Sequence, residues 1–172
     1  MKLTRIGVDL AKQVFQIHGV DSHEQVKCRK QLKRGQMLDF FRQQEPCLVA
    51  MEACGSSHYW ARELIQLGHE VRLIAPQFVK PYVKSGKNDA NDAEAICEAA
   101  SRPTMRYVTV KSAEQQASQS VHRIRSRLIR ARTALLNEIR GLLGEFGRVA
   151  ARPGIASTHA LLQQALDESD KL

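Results

Sequence analysis

Residues 47–74 read CLVAMEACGSSHYWARELIQLGHEVRLI, and this stretch decides the fold class. Cys47 to Met51 is a compact apolar run, the pattern of a strand covered on both faces. Ser56 or Ser57 offers a hydroxyl to cap a helix that runs to about Leu67, and Gly68 suits its end. Val71 to Ile74 then reads as another strand. A strand, a helix and a strand joined this closely form a parallel pair with a crossover.

Upstream, Leu3 to Asp9 (LTRIGVD) is β-like, and Val14 to Val20 (VFQIHGV) follows after four residues, the spacing of a hairpin. Val26 to Leu32 continues as a third strand with polar alternation. Gly35 to Gln43 reads as a short helix burying Met37, Phe40 and Phe41. Downstream, Pro76 opens a short helix, Ser85 to Asn88 is polar loop, and Asp89 to Ala100 is a helix. The expected architecture is therefore α/β, with a mixed five-stranded sheet and flanking helices.

From about Ser112 the pattern changes. Val121, Ile124, Leu128, Ala131, Leu135 and Leu142 recur at spacings of three, four and seven, which predicts one long amphipathic helix to about Leu143. Its other faces carry Arg123, Arg125, Arg127, Arg130, Arg132 and Arg140. Pro153-Gly154 mark a break, and Ser157 to Leu172 reads as a short helix with a polar end. The expected division is 1–110 as an α/β domain, 111–150 as the basic helix, and 151–172 as a linker leading into a missing carboxy-terminal part.

The 172 residues carry 26 Lys and Arg against 18 acids, a net charge of +8, which favours a polyanionic partner. Cys28, Cys47, Cys54 and Cys97 form no CxxC pair and, with no signal peptide ahead of them, read as reduced thiols of a cytosolic protein, Cys54 as a small buried residue. The six histidines do not cluster with them at zinc-ligand spacing. No apolar run approaches a membrane span.

Against this basic background four acids stand at element ends. Asp9 ends the first strand, Glu52 follows the fourth, and Asp89 and Asp92 lie one turn apart on the late helix and so on one face. Beside apolar residues a bare carboxylate is costly unless a cation compensates it. Mg²⁺ takes oxygen ligands, and two such ions about 3.5–4 Å apart can stabilise both the attacking and the leaving oxygen of a phosphate displacement. Asp89 as an N-cap with Asp92 in the first turn is the competing account of that pair, and it is compatible with metal binding at Asp89. Asp9 could equally be a turn residue and Glu52 an ion-pair partner.

Three strands in a meander followed by strands alternating with helices is the order of an RNase H-like fold. GVDLAK at 7–12, MEACGSSHYW at 51–60, KNDANDAEAI at 87–96 and LLNEIRGLLGEFG at 135–147 together resemble the amino-terminal, RuvC-like domain of the DEDD transposases, the insertion-sequence family one-ten. The resemblance implies that Asp9, Glu52, Asp89 and Asp92 are an Asp-Glu-Asp-Asp tetrad holding Mg²⁺, with Mn²⁺ as an alternative. It implies a DNA transposase or site-specific recombinase that is guided by RNA in its full-length form and acts in the cytoplasm on the nucleoid. It also implies a serine nucleophile in a second domain, so the fragment alone is expected to be inactive. Ser157 precedes that domain and is not this serine.

Lys12, Lys84 and Lys87 could reach DNA phosphates, with solvated surface lysines as the alternative. Arg123, Arg127 and Arg130 could grip DNA or RNA phosphates. The apolar stripe of the same helix could instead be the seam of a homo-oligomer. Two other functions compete: a Holliday-junction-type endonuclease of the same fold, in which a metal-bound water attacks, and a non-catalytic RNA-binding scaffold. Actin-like ATPases share the fold and an early Asp, but they need glycine-rich phosphate loops, and GVDLAK is not one.

Overall fold

The computed structural model describes residues 2–83, 89–152 and 154–169, with the backbone alone at 89–90 and 168–169. Two compact units divide the chain, Met1–Gln115 and Gln116–Leu172.

The first unit is built on strands β1 (Arg5–Leu10), β2 (Val14–Val20), β3 (Val26–Lys33), β4 (Leu48–Glu52), β5 (Glu70–Ile74) and β6 (Tyr107–Val108), in the spatial order β3-β2-β1-β4-β5-β6. The meander β1-β2-β3 is antiparallel, β1, β4 and β5 are parallel, and β6 returns antiparallel to β5. This is the RNase H-like arrangement, with six strands where the sequence predicted five. The extra strand is two residues long, pairing Tyr107 with Ile74 and Val108 with Leu73. So short a run shows no alternation, and only its partner strand makes it β.

Alternation along the central strands sends side chains into two separate cores. Ile6, Val8, Val49, Met51 and Leu73 join Phe15 and Ile17 on one face. There they meet Met37 and Phe41 of α1 (Met37–Arg42) and Trp60, Ala61 and Leu64 of α2 (Ser57–Gln66). The one-turn spacing of 37 and 41, and of 60 and 64, puts each pair on a single helix face. Ala50 and Ile74 point the other way, to α3 (Pro76–Val79) and to Ala95, Ile96 and Ala99 of α4 (Asp89–Ala99). Two helical layers thus sandwich the central strands β1 and β4, as their apolar runs require, while the edge strand β3 is largely exposed.

Ser57, not Ser56, organises the start of α2: its Oγ accepts from the Cys54 N–H at 3.0 Å and donates to the Cys54 carbonyl at 3.1 Å. Cys54, expected to be buried, is exposed on this loop. The tight turn holds its backbone and leaves the thiol to solvent.

Helix α5 (Ala113–Glu145), all but its first three residues in the second unit, is one helix of 33 residues and buries none of them. After it comes α6 (Ile155–Ser169). Arg140 is used internally, donating from Nε to Thr158 Oγ1 at 2.7 Å and from Nη2 to the Gly154 carbonyl at 2.9 Å. Among the described residues no helix is long and apolar enough to cross a membrane.

Candidate functional site

Parallel pairing of β1 with β4 aligns Gly7 with Ala50 and Val8 with Met51. One further step along that register sets Asp9 beside Glu52 at the carboxyl ends of both strands. The pleat places both acids on the face of Gly7 and Ala50, the face covered by α4, because Val8 and Met51 belong to the opposite core.

Two contacts fix how α4 crosses that face. Arg5 Nε donates to the Cys97 carbonyl at 2.8 Å, and the Arg5 guanidinium also pairs with Glu24. Gly7 lies directly beneath the helix backbone: a Cβ there would stand 2.2 Å from the Ala93 oxygen and 2.6 Å from the Cys97 nitrogen. From residue 5 to residue 7 the contact thus moves back along α4 from Cys97 towards Ala93. Two strand residues advance about 6.6 Å and four helical residues about 6 Å. The next strand step, to Asp9, therefore carries the contact to the amino-terminal turn of α4, where Asp89 and Asp92 stand.

Electrostatics agree with this placement. The Glu52 carboxyl is held above its usual range, first by burial and then by the negative charge of Asp92. Two of the four acids therefore sense each other across the sheet–helix junction. Asp9 and Asp92 are half-buried. Asp89 opens α4, but its side chain lies outside the described residues. Among the described residues no group of three His, Cys, Asp or Glu side chains is close enough to hold a metal. The donor set itself, half-buried carboxylates of which Glu52 is raised by burial and by the charge of Asp92, fits a hard divalent cation better than a neutral or anionic ligand.

Lys12 is exposed on the turn leaving β1, at the same sheet end as Asp9. Lys84 and Lys87 lie outside the described residues. Arg123, Arg127 and Arg130 line one shallow groove on α5 with Gln119, His122 and Ser126, whereas Arg125 and Arg132 lie beside Val121, Ile124 and Leu128. His58 and Trp60 are buried and Tyr59 is exposed; Trp60 meets Phe15 edge-on at 5.2 Å.

Sequence reasoning missed Gly7 and Arg5, which set the helix against the strand. The signal was a glycine inside an otherwise apolar strand, a mark of close backbone approach.

The family described as transposase, of the DEDD type named for IS110, matches residues 6–147. A probable family 20 transposase of Pseudomonas aeruginosa is 76% identical over 166 residues, covering 96% of this chain and 49% of that protein. A putative transposase of Sinorhizobium fredii is 56% identical, covering 95% and 42%. The transposase for insertion sequence element IS1328 of Yersinia enterocolitica is 48% identical, covering 90% and 46%. The chain thus spans less than half the length of each of these relatives. Among solved structures, Thermus thermophilus RuvC in complex with a Holliday junction substrate aligns with a TM-score of 0.47 at 14% identity, over 62% of this chain and 99% of that one. The chain belongs to the DEDD transposases of the IS110 family.

Proposed function

We propose that residues 1–110 form the metal-dependent catalytic domain of a DNA transposase or site-specific recombinase acting on phosphodiester bonds. In this reading Asp9, Glu52, Asp89 and Asp92 hold Mg²⁺, or Mn²⁺ in its place, at the scissile phosphate. The observation that carries it is the coupling of Glu52 to Asp92 at the sheet end where the β1–β4 register places Asp9. Family membership supports the substrate class.

Bound there, the metal would stabilise charge on the attacking and leaving oxygens. The chain's own residues do the rest. Gly7 and Arg5 hold α4 against β1, which keeps Asp92 near enough to Glu52 to raise its carboxyl. Positive charge entering the site would offset the burial and the nearby Asp92 charge that hold the Glu52 carboxyl above its usual range. Lys12, Lys84 and Lys87 would meet the DNA backbone. Arg123, Arg127 and Arg130 would grip phosphates of DNA or of a guide RNA, and residues 111–150 form this arm. Residues 151–172 lead on to the remainder of the full-length protein. The 172 residues then supply the metal-holding part of the chemistry and do not exchange strands alone. The protein works in the cytoplasm, on the nucleoid, as an oligomer joined through α5.

The test is Mg²⁺-dependent strand cleavage at an element end by a full-length chain containing these residues, compared with the same chain carrying Glu52→Gln. Loss of cleavage with retained DNA binding is expected. Undiminished cleavage by Glu52→Gln would remove Glu52 from the site and the proposal with it.

A further inference from the structure

His58 and Lys111 meet in a way that leaves one donor without an acceptor. His58 stands in the first turn of α2 and is only 7% exposed. Its Nδ1 accepts from the Lys111 backbone N–H at 3.1 Å, and its Nε2 lies 3.3 Å from the Lys111 Nζ. A neutral imidazole has one bare nitrogen and one N–H, and an ammonium has only donors. With Nδ1 spent on the backbone N–H, Nε2 carries the proton and faces the ammonium, donor against donor. The other tautomer moves the same conflict to Nδ1. Protonating the ring leaves it with no acceptor at all.

The Lys111 backbone is held in this position from both sides. Arg62, one turn after His58 on the same face of α2, donates from Nη1 to the Lys111 carbonyl at 2.7 Å. The N–H and the carbonyl of Lys111 are thus both tied to α2, just ahead of α5. The charges act in one sense: the His58 imidazole is held below its ordinary pKa first by burial, then by Lys111 and Arg62. Among the described residues no carboxylate pairs with His58 or Lys111. Donors and positive charge converge here on a side chain that is almost wholly buried, and such a group requires an acceptor.

We infer that His58 Nε2–H and Lys111 Nζ form a binding site for an oxyanion, and that the oxyanion is a phosphate group. One oxygen can stand about 2.8 Å from both nitrogens, which turns two opposed donors into two hydrogen bonds to one acceptor. Its charge also offsets that of Lys111 and Arg62. The phosphate comes free from solution or from a nucleic-acid backbone. The second source rests on the transposase reading above; the anion site does not. Helix α2 starts at the turn after Glu52, so a backbone phosphate held here would lie at the sheet end proposed for catalysis.

NMR of the His58 imidazole in the 172-residue chain tests this at neutral pH, with inorganic phosphate exchanged for chloride at constant ionic strength. A second arm adds a duplex of about 20 base pairs of unrelated sequence. The His58 signals should move saturably with phosphate. Lys111→Met, which keeps the backbone N–H and most of the stem, should weaken that response at least tenfold. Duplex should move the same signals, and the substitution should lower the log–log salt slope of duplex binding by about one. Signals that ignore both phosphate and duplex would overturn the site, and so would a Lys111→Met variant that responds like wild type. If phosphate moves the signals while bound duplex does not, the anion site stands and its nucleic-acid source is removed. If phosphate moves them and no duplex binds at all, the site stands and the reading of this chain as DNA-binding falls.

Discussion

Replacing Gly7 by alanine adds one methyl group where there is no room for it. The new Cβ would sit 2.2 Å from the Ala93 oxygen, 2.6 Å from the Cys97 nitrogen and 2.8 Å from the Cys97 Cβ. An ordinary contact needs 3.4 Å or more, so α4 must retreat by roughly 1 Å. The first two obstacles are backbone atoms of a helix, which no rotamer change relieves. Overpacking typically costs about 1–3 kcal/mol, and a backbone clash belongs at the upper end. For a unit of this size about 3 kcal/mol lowers the melting temperature by roughly 12 °C. Gly35→Ala is the control: nothing lies within 4 Å of a Cβ there, so it should melt within about 2 °C of wild type. The retreat of α4 also moves Asp92 away from Glu52, so the Glu52 carboxyl, followed by NMR titration, should shift back towards the ordinary carboxylate range. A Gly7→Ala protein that melts with wild type and titrates alike would refute the close approach of helix to strand, and with it the argument that places the acids.

Other consequences can be measured separately. Changing Arg123, Arg127 and Arg130 together to alanine should weaken binding to unrelated duplexes alike and flatten the salt dependence by up to about three units of log–log slope; an unchanged slope would mean that these arginines do not meet phosphate. Burial pushes the Cys47 thiol from 9.0 up to about 11. The fold therefore favours the neutral thiol, and that stability is complete below the unfolded pKa and is lost as pH rises towards the folded one. Between pH 8.5 and 10.5 wild type should lose about 2 kcal/mol more than Cys47→Ala, and parallel pH profiles would show that the thiol ionises freely in the fold.

Much of this was legible in the sequence because each signal was local. The run 47–51 announced a strand buried on both faces, and Pro76 and Gly68 bounded their helices where expected. The sixth strand was not legible, since Tyr107 and Val108 are β only through β5. The four acids could be picked out by their places at element ends, but the nearness of Asp92 to Glu52 could not. It depends on the β1–β4 register and on how α4 crosses β1, set by Gly7 and Arg5, and a pattern along one chain carries no such distances. Cys54 misled because cysteine is usually buried, while here the Ser57 turn lifts it to the surface.

The central claim is that Asp92 is a metal ligand as well as a first-turn residue of α4. Its most direct test is the thermal melt of wild type and Asp92→Asn with and without Mg²⁺ or Mn²⁺. Asparagine keeps the size, and because Asp92 raises the Glu52 carboxyl, the metal-free variant should be as stable as wild type or more so. With the ion at ten times its Kd, wild type should gain about 1.4 kcal/mol; if the substitution weakens binding tenfold, the variant gains only about 0.4 kcal/mol. Equal gains in the two proteins would contradict the account.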